Sequence, residues 1–202
     1  MKNVKRKVLI IGGGASGLMA AIMAAREGAE VTILEHMDRV GKKILSTGNG
    51  RCNMTNLSLR PEHYRSSQKL FPMKVLDRVS VWDTLSFFDG IGIVTKNRNG
   101  YIYPNSDQAA SVLDALRFET EHLGIQTVLS CHIKKAWKTK NGTFTVESDQ
   151  GTFRGDSLIL AAGSKAAPVS GSDGSGYELA KVFGHTIIKP LPALVQLKCR
   201  GT

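Results

Sequence analysis

"VLIIGGGASGLMAAIMAAREGAEVTILE", residues 8–35, decides the fold. Val8 to Ile11 is a short, continuous apolar run, the composition of a parallel strand covered on both faces. From Ala15 to Glu27 small residues recur at Gly17, Ala20, Ala21 and Ala24, which predicts a helix able to lie close to a sheet, ended by Gly28. Val31 to Leu34 is a second apolar, β-branched run that stops at Glu35. Strand, helix and strand make one βαβ unit, and its crossover demands a parallel sheet.

The turn between strand and helix reads Gly12-x-Gly14-x-x-Gly17. In this strand-to-helix context the pattern is a dinucleotide signature, which a bare glycine triplet is not. Gly12 permits the tight turn, Gly14 lets a diphosphate approach the backbone, and Gly17 lets helix and strand pack closely. The free N–H groups of Ala15, Ser16 and Gly17 at the helix start then face the anion. Glu35 follows Gly17 by 18 positions, at the end of the second strand, where a carboxylate accepts hydrogen bonds from both hydroxyls of an adenosine ribose. An acid there rejects a 2′-phosphate, so FAD or NAD is favoured over NADP.

Farther along, residues 36–56 show no periodicity and are rich in Gly, Ser, Thr and Asn, a loop long enough to be functional. Leu76, Val79, Leu85 and Phe88 fit one face of a helix that Gly90 and Gly92 end, and "GIVTKNRNGYIYPN" (92–105) predicts a hairpin turning at Asn99-Gly100. Ser106 is the expected cap of a helix whose inner face is Ala109, Val112, Leu113, Leu116 and Leu123, with Gly124 past its end. Several short strands follow, turning at Asn141-Gly142 and Gln150-Gly151, then a buried run from Leu158 to Ala162 and a helix over 175–183. The fold class is therefore α/β: a Rossmann-like dinucleotide-binding domain with a parallel sheet and a small antiparallel β group.

The 202 residues carry 27 Lys and Arg against 17 Asp and Glu, a net charge of +10. The positive residues are scattered and lack an aromatic sheet signature, so only the least specific criterion for nucleic-acid binding is met, and no such partner is expected. No apolar run reaches the ~18 residues of a membrane span, and the lysines at positions 2, 5 and 7 precede a strand, so a cytoplasmic location is expected. Cys52, Cys131 and Cys199 have no CxxC spacing, which predicts reduced thiols and no zinc site. His63, His122, His132 and His185 lack metal-ligand spacing as well, so no metal is expected.

Five stretches, "GGGASGLMAA", "GKKILSTGNGRCNMTN", "NGYIYPNSDQAASVLDAL", "LILAAGSKAAP" and "GSDGSGYELAKVFGH", resemble bacterial two-dinucleotide-binding-domain flavoproteins of the aminoacetone oxidase and bile-acid 3-dehydro-Δ4,6-reductase type. The resemblance covers nearly the whole chain. It implies FAD in the N-terminal site, a flavin-dependent oxidoreductase acting on a small-molecule substrate, and NAD(P)H as a candidate electron donor. It implies that the loop after the second strand returns to the cofactor, making Lys42, Lys43, Ser46, Thr47, Gly48, Gly50, Arg51, Cys52 and Asn53 candidates to line it. Arg51 pairs there with phosphate or with charge on the reduced ring, and Asn53 offers donor and acceptor. Cys52 lacks a resolving partner, which disfavours a redox thiol. His36, next to Glu35, borders the adenine by adjacency, and a strand near Ile133 is expected to meet it. Ala161, Ala162 and Gly163 stand where the family has Ala-Thr-Gly, so the threonine hydroxyl is lost at 162.

The resemblance also implies an N-terminal half: an incomplete FAD-binding domain over 1–190 and the beginning of an inserted substrate domain over 191–202. A missing C-terminal half, or a second chain, would then complete the flavin site. No residue of this stretch offers itself as the acid or base for substrate, and the catalytic residues stay unassigned. The alternative is a catalytically inert dinucleotide-binding or interaction module.

Overall fold

The computed structural model describes residues 5–65, 67–68 and 70–192. The expected opening of a second domain at 191–202 lies outside the described residues but for Leu191 and Pro192, as do Cys199 and the lysine at position 2.

In chain order the elements are β1 (Lys7–Ile11), α1 (Ala15–Arg26), β2 (Glu30–Leu34), β3 (Thr55–Asn56), α2 (Phe71–Leu76), α3 (Val81–Gly90), β4 (Thr95–Arg98), β5 (Tyr101–Pro104), α4 (Ala109–His122), β6 (Gln126–Val128), β7 (Ile133–Lys138), β8 (Phe144–Ser148), β9 (Gly151–Gly155), β10 (Ser157–Leu160) and α5 (Ser175–Val182). Short 3-10 turns occupy 44–50, 61–63 and 168–170.

The parallel sheet runs β10-β1-β2-β6. Its first strand explains the unbroken apolar run. Val8 and Ile10 join the core formed with α1 and α4, whereas Leu9 and Ile11 face the other way, into the core shared with Cys131, Ala136 and Val146. β2 and β10 divide likewise, with Val31, Ile33 and Ile159 on the helical side and Leu34, Leu158 and Leu160 on the other. The second face is covered by the antiparallel sheet β7-β8-β9, so a strand of period two must be apolar at every position.

A third sheet, β3-β5-β4, contains the expected hairpin, and Asn99 and Gly100 both take positive φ (52° and 90°), as a tight two-residue turn between twisted strands requires. The α/β class, the βαβ unit and the small antiparallel group are as expected.

Two boundaries differ. The single helix expected through Leu76, Val79, Leu85 and Phe88 is two, because Ser80 and Asp83 form a reciprocal capping box that starts α3 afresh. Ser106 does not cap α4: Asp107 turns the chain at φ 56°, Gln108 becomes the N-cap, and the Ser106 hydroxyl instead accepts the Gln108 N–H at 3.3 Å. Among the described residues, no helix is long and apolar enough to cross a membrane.

Candidate functional site

β1 has β2 on one side and β10 on the other, and open parallel sheets bind ligands in the crevice outside the carboxyl ends of such strands. The glycine turn sits there. Gly12, at φ 102°, has its amide on Leu34 O at 2.8 Å, and a Cβ on it would lie 2.5 Å from Ala161 O. Gly17 is buried beneath the turn, where a Cβ would stand 1.9 Å from Gly12 O. Only glycine lets α1 begin this close to its own strand. Gly14 is different, since a Cβ there meets nothing within 4 Å. Its lack of a side chain serves the space outside the protein.

α1 starts at Ala15 behind Gly14 as N-cap, with no side-chain cap and no acid in its first turn, so its leading N–H groups and positive dipole end are left for an anion. Glu35, 6% exposed, accepts the Gly13 N–H on Oε2 at 2.6 Å and the Met37 N–H on Oε1 at 2.8 Å. His36 Nδ1 lies 3.5 Å from Oε1.

These groups line a cleft of about 360 Å³. Of the expected residues it brings together Gly12, Gly14, Ala15, Ser16, Glu35, His36, Lys42, Lys43, Thr47, Ala161, Ala162 and Gly163. Lys43 spans it, with Nζ 3.3 Å from Ser172 Oγ. Sequence reading missed the facing wall, Ser170 to Ser172, and the loop residues Met37, Arg39 and Gly41. The only signal for that wall is the run of Gly and Ser near 170–176, which has no periodicity. Gly171 matters because a Cβ on it would press the His36 ring at 3.1 Å.

His36, Gly12 and Ala162 also border a second cleft of about 420 Å³, floored by Ile133 and its neighbours on β7 and closed by α5. The strand near Ile133 thus reaches the same region as His36.

The rest of the glycine-rich loop divides. Cys52 and Asn53 line a third, apolar cleft of about 280 Å³ together with Thr47, Ala15, Met19 and Phe88. Ser46, Gly48, Gly50 and Arg51 line none of the three. The Ser46 hydroxyl caps its own turn on Lys43 O, and Arg51 lies over the Tyr103 ring, 5.8 Å from its centre. Burial, offset in part by a hydrogen bond to Thr47, pushes the Cys52 thiol up, opposite to what an activated thiolate needs. No group of His, Cys, Asp and Glu among the described residues has the arrangement of a metal site.

Residues 6–198 match the HI0933-like protein Rossmann domain. The chain belongs to that family. It is 46% identical over 196 residues to a 3-dehydro-bile acid delta(4,6)-reductase of Clostridium scindens, covering 96% of this chain and 48% of the relative. It is 30% identical over 198 residues to a ribosomal RNA dihydrouridine synthase of Haemophilus influenzae, covering 96% of this chain and 49% of the relative. The chain therefore spans about half the length of these relatives. Among solved structures, a 3-ketosteroid-delta4-(5alpha)-dehydrogenase of Rhodococcus jostii superposes with a TM-score of 0.58 at 13% identity, over 90% of this chain and 54% of that one. At that identity the likeness concerns the fold alone.

Proposed function

We propose that this chain is the FAD-binding portion of a flavin-dependent oxidoreductase that reduces a carbon–carbon double bond in a small molecule. The observation that carries the reading is the cleft at the end of β1, where the uncapped start of α1, an open Gly14 and a buried Glu35 meet. The residues fit the nucleotide: N–H donors and Lys43 for a diphosphate, and Glu35 for the ribose, since each of its oxygens keeps a lone pair beyond its backbone bond. His36 and β7 near Ile133 border the space for the adenine.

Bound there, FAD supplies two-electron transfer, and the protein supplies position and charge. Glu35 locks the glycine turn before the cofactor arrives, so ordering it costs little on binding. Lys42, Lys43 and Arg39 line the first cleft and neutralise the anion. Thr47, Cys52 and Asn53 give the remainder of the cofactor an apolar wall with one amide.

The reductase reading of the substrate comes from the 46% relative, and a delta(4,6)-reductase by its name adds hydrogen to such bonds. With it go a cytoplasmic location, NAD(P)H as donor, 1–190 as the FAD-binding domain and 191–202 as the start of a substrate domain.

A second reading has two observations in its favour: a relative named for dihydrouridine synthesis in ribosomal RNA, and a net charge of +10. RNA would then be the bearer of the reduced double bond, against the expectation from charge patterning.

The test begins with the visible spectrum of the protein before and after FAD addition and desalting, with Glu35→Ala alongside. Retained flavin bands that weaken in the variant support the reading, and no retention by the parent overturns it. NADH or NADPH consumption with a 3-oxo-4,6-diene steroid, against consumption with unmodified ribosomal RNA, separates the two substrates.

A further inference from the structure

The hairpin of β4 and β5 does more than extend the fold, because it holds Arg51, the charged one of the loop residues that the three clefts leave out. Asn53 Nδ2 donates to Ile102 O at 3.2 Å, Met54 N donates to the same carbonyl at 2.9 Å, and β3 continues the pairing with β5. The segment that carries Arg51 is therefore stitched to the hairpin. Gly48 approaches it too, for a Cβ there would lie 3.4 Å from the Tyr103 ring.

Two guanidinium groups share that ring, Arg51 at 5.8 Å and Arg98 at 5.9 Å from its centre. Two like charges on one aromatic platform repel each other unless something cancels one of them. Asp107 does so: Oδ2 is 2.5 Å from Arg98 Nη2 and 2.5 Å from Lys96 Nζ. Arg98 and Lys96 are thereby engaged. Arg51 forms no hydrogen bond or ion pair among the described residues: it has the ring contact and, at longer range, the attraction of the Asp107 carboxylate.

Asp107 bears two local costs to stand there. Its backbone is left-handed at φ 56°, and its Oδ1 is buried without a hydrogen-bond partner among the described residues. A turn alone requires neither a carboxylate nor its pairing with two cations.

We propose that Tyr103 and Asp107 are positioning residues that seat Arg51, with its N–H donors free, to meet the negative charge of the reduced flavin ring. The inference rests on the FAD reading above. The ring is preferred to the diphosphate because Arg39, Lys42 and Lys43 already line the cleft at the start of α1, which Arg51 does not. Arg51 instead precedes Cys52 and Asn53, which line the apolar cleft.

The experiment is a set of variants, read by the midpoint potential of the flavin-loaded protein and by the ADP affinity of the flavin-free protein. Arg51→Met is expected to weaken the preference for reduced over oxidised flavin about ten-fold, which is about 30 mV for a two-electron couple. Asp107→Asn is expected to shift it the same way by roughly three-fold, as Arg98 repels Arg51 from the ring. Asp107→Asn combined with Arg98→Gln is expected to restore the parent potential, because the charge that displaces Arg51 is gone. ADP affinity stays within about two-fold throughout.

An unshifted Asp107→Asn overturns the proposal, as does a double variant no better than the single one, the result of a purely structural role. ADP affinity falling ten-fold in Arg51→Met also overturns it, by placing the guanidinium on the diphosphate. If the parent retains no flavin, the FAD reading has failed and the seat is judged separately, by NMR of the Arg51 Nε–H. A ring-current shift lost in Tyr103→Leu and in Asp107→Asn supports the seat, and its absence in the parent overturns it.

Discussion

The carboxylate of Glu35 accepts the backbone N–H of Gly13 at 2.6 Å, so the acid that ends β2 holds the glycine turn that follows β1. Its other oxygen holds Met37 N at 2.8 Å. Ligand affinity and local stability are therefore coupled at this residue. Glu35→Ala is expected to lose FAD retention and also to lower unfolding stability by about 1–3 kcal/mol, the cost of orphaning buried donors. Glu35→Gln keeps one oxygen, so it should lose less stability while still binding FAD poorly. Denaturant unfolding of the ligand-free proteins checks this, and equal stability for the parent and Glu35→Ala would refute the coupling.

The glycines of the turn separate folding from binding. Gly17→Ala puts a methyl 1.9 Å from Gly12 O, where backbone must move, and is expected to cost about 3 kcal/mol or more. Gly14→Ala meets nothing within 4 Å, so it should fold with a parent-like midpoint and yet bind FAD weakly, its methyl occupying the cleft. Thermal unfolding and flavin retention measured on both variants decide. A Gly14→Ala protein that binds as the parent does would remove the diphosphate from this turn.

Why the turn was legible and its surroundings were not follows from what each depends on. The apolar runs of β1 and β2 and the Gly12-to-Gly17 spacing are local, and local chemistry dictates their conformation. The boundary at Ser80 was also local, written in the Ser80 and Asp83 capping box, but the spacing of Leu76, Val79, Leu85 and Phe88 imitated one continuous face. In the structure Val79 is 60% exposed, between two helices. The facing wall at Ser170 to Ser172 and the seat of Arg51 on Tyr103 are contacts between segments distant in sequence. No periodicity encodes them. The nine loop residues named from Lys42 to Asn53 therefore divide between cleft walls, such as Lys43 and Thr47, and the hairpin contact of Arg51, a division that spacing along the chain does not encode.

Asp83 makes the start of α3 sensitive to acid. The Ser80 hydroxyl and then the Ser80 N–H hold its carboxyl below the usual aspartate range. A lowered carboxyl contributes stability above its unfolded value, about 4, which is lost as pH falls through its folded value. The Ser80 amide is expected to lose exchange protection over that window in the parent, and the Asp83 amide to be unprotected already at pH 7 in Ser80→Ala. The same pH response in both proteins would rule out the capping box as its source.

The two described thiols predict the opposite response, at the alkaline side. Burial is the first cause that raises Cys52 and Cys131 above the ordinary thiol range, with hydrogen bonds from Thr47 and Ser148 only offsetting it. Both are buried in the structure. A group raised on folding contributes stability that is complete below the unfolded value, about 8.5, and is lost as pH rises through the folded one. The thermal midpoint of the parent should therefore fall more steeply above that pH than that of a Cys52→Ala, Cys131→Ala double variant. Native protein at pH 8 should alkylate at these two positions at least about ten-fold more slowly than in denaturant, by peptide mass mapping. Rapid native labelling of Cys52 would mean that it opens to solvent and would revive it as a reactive group beside the apolar cleft.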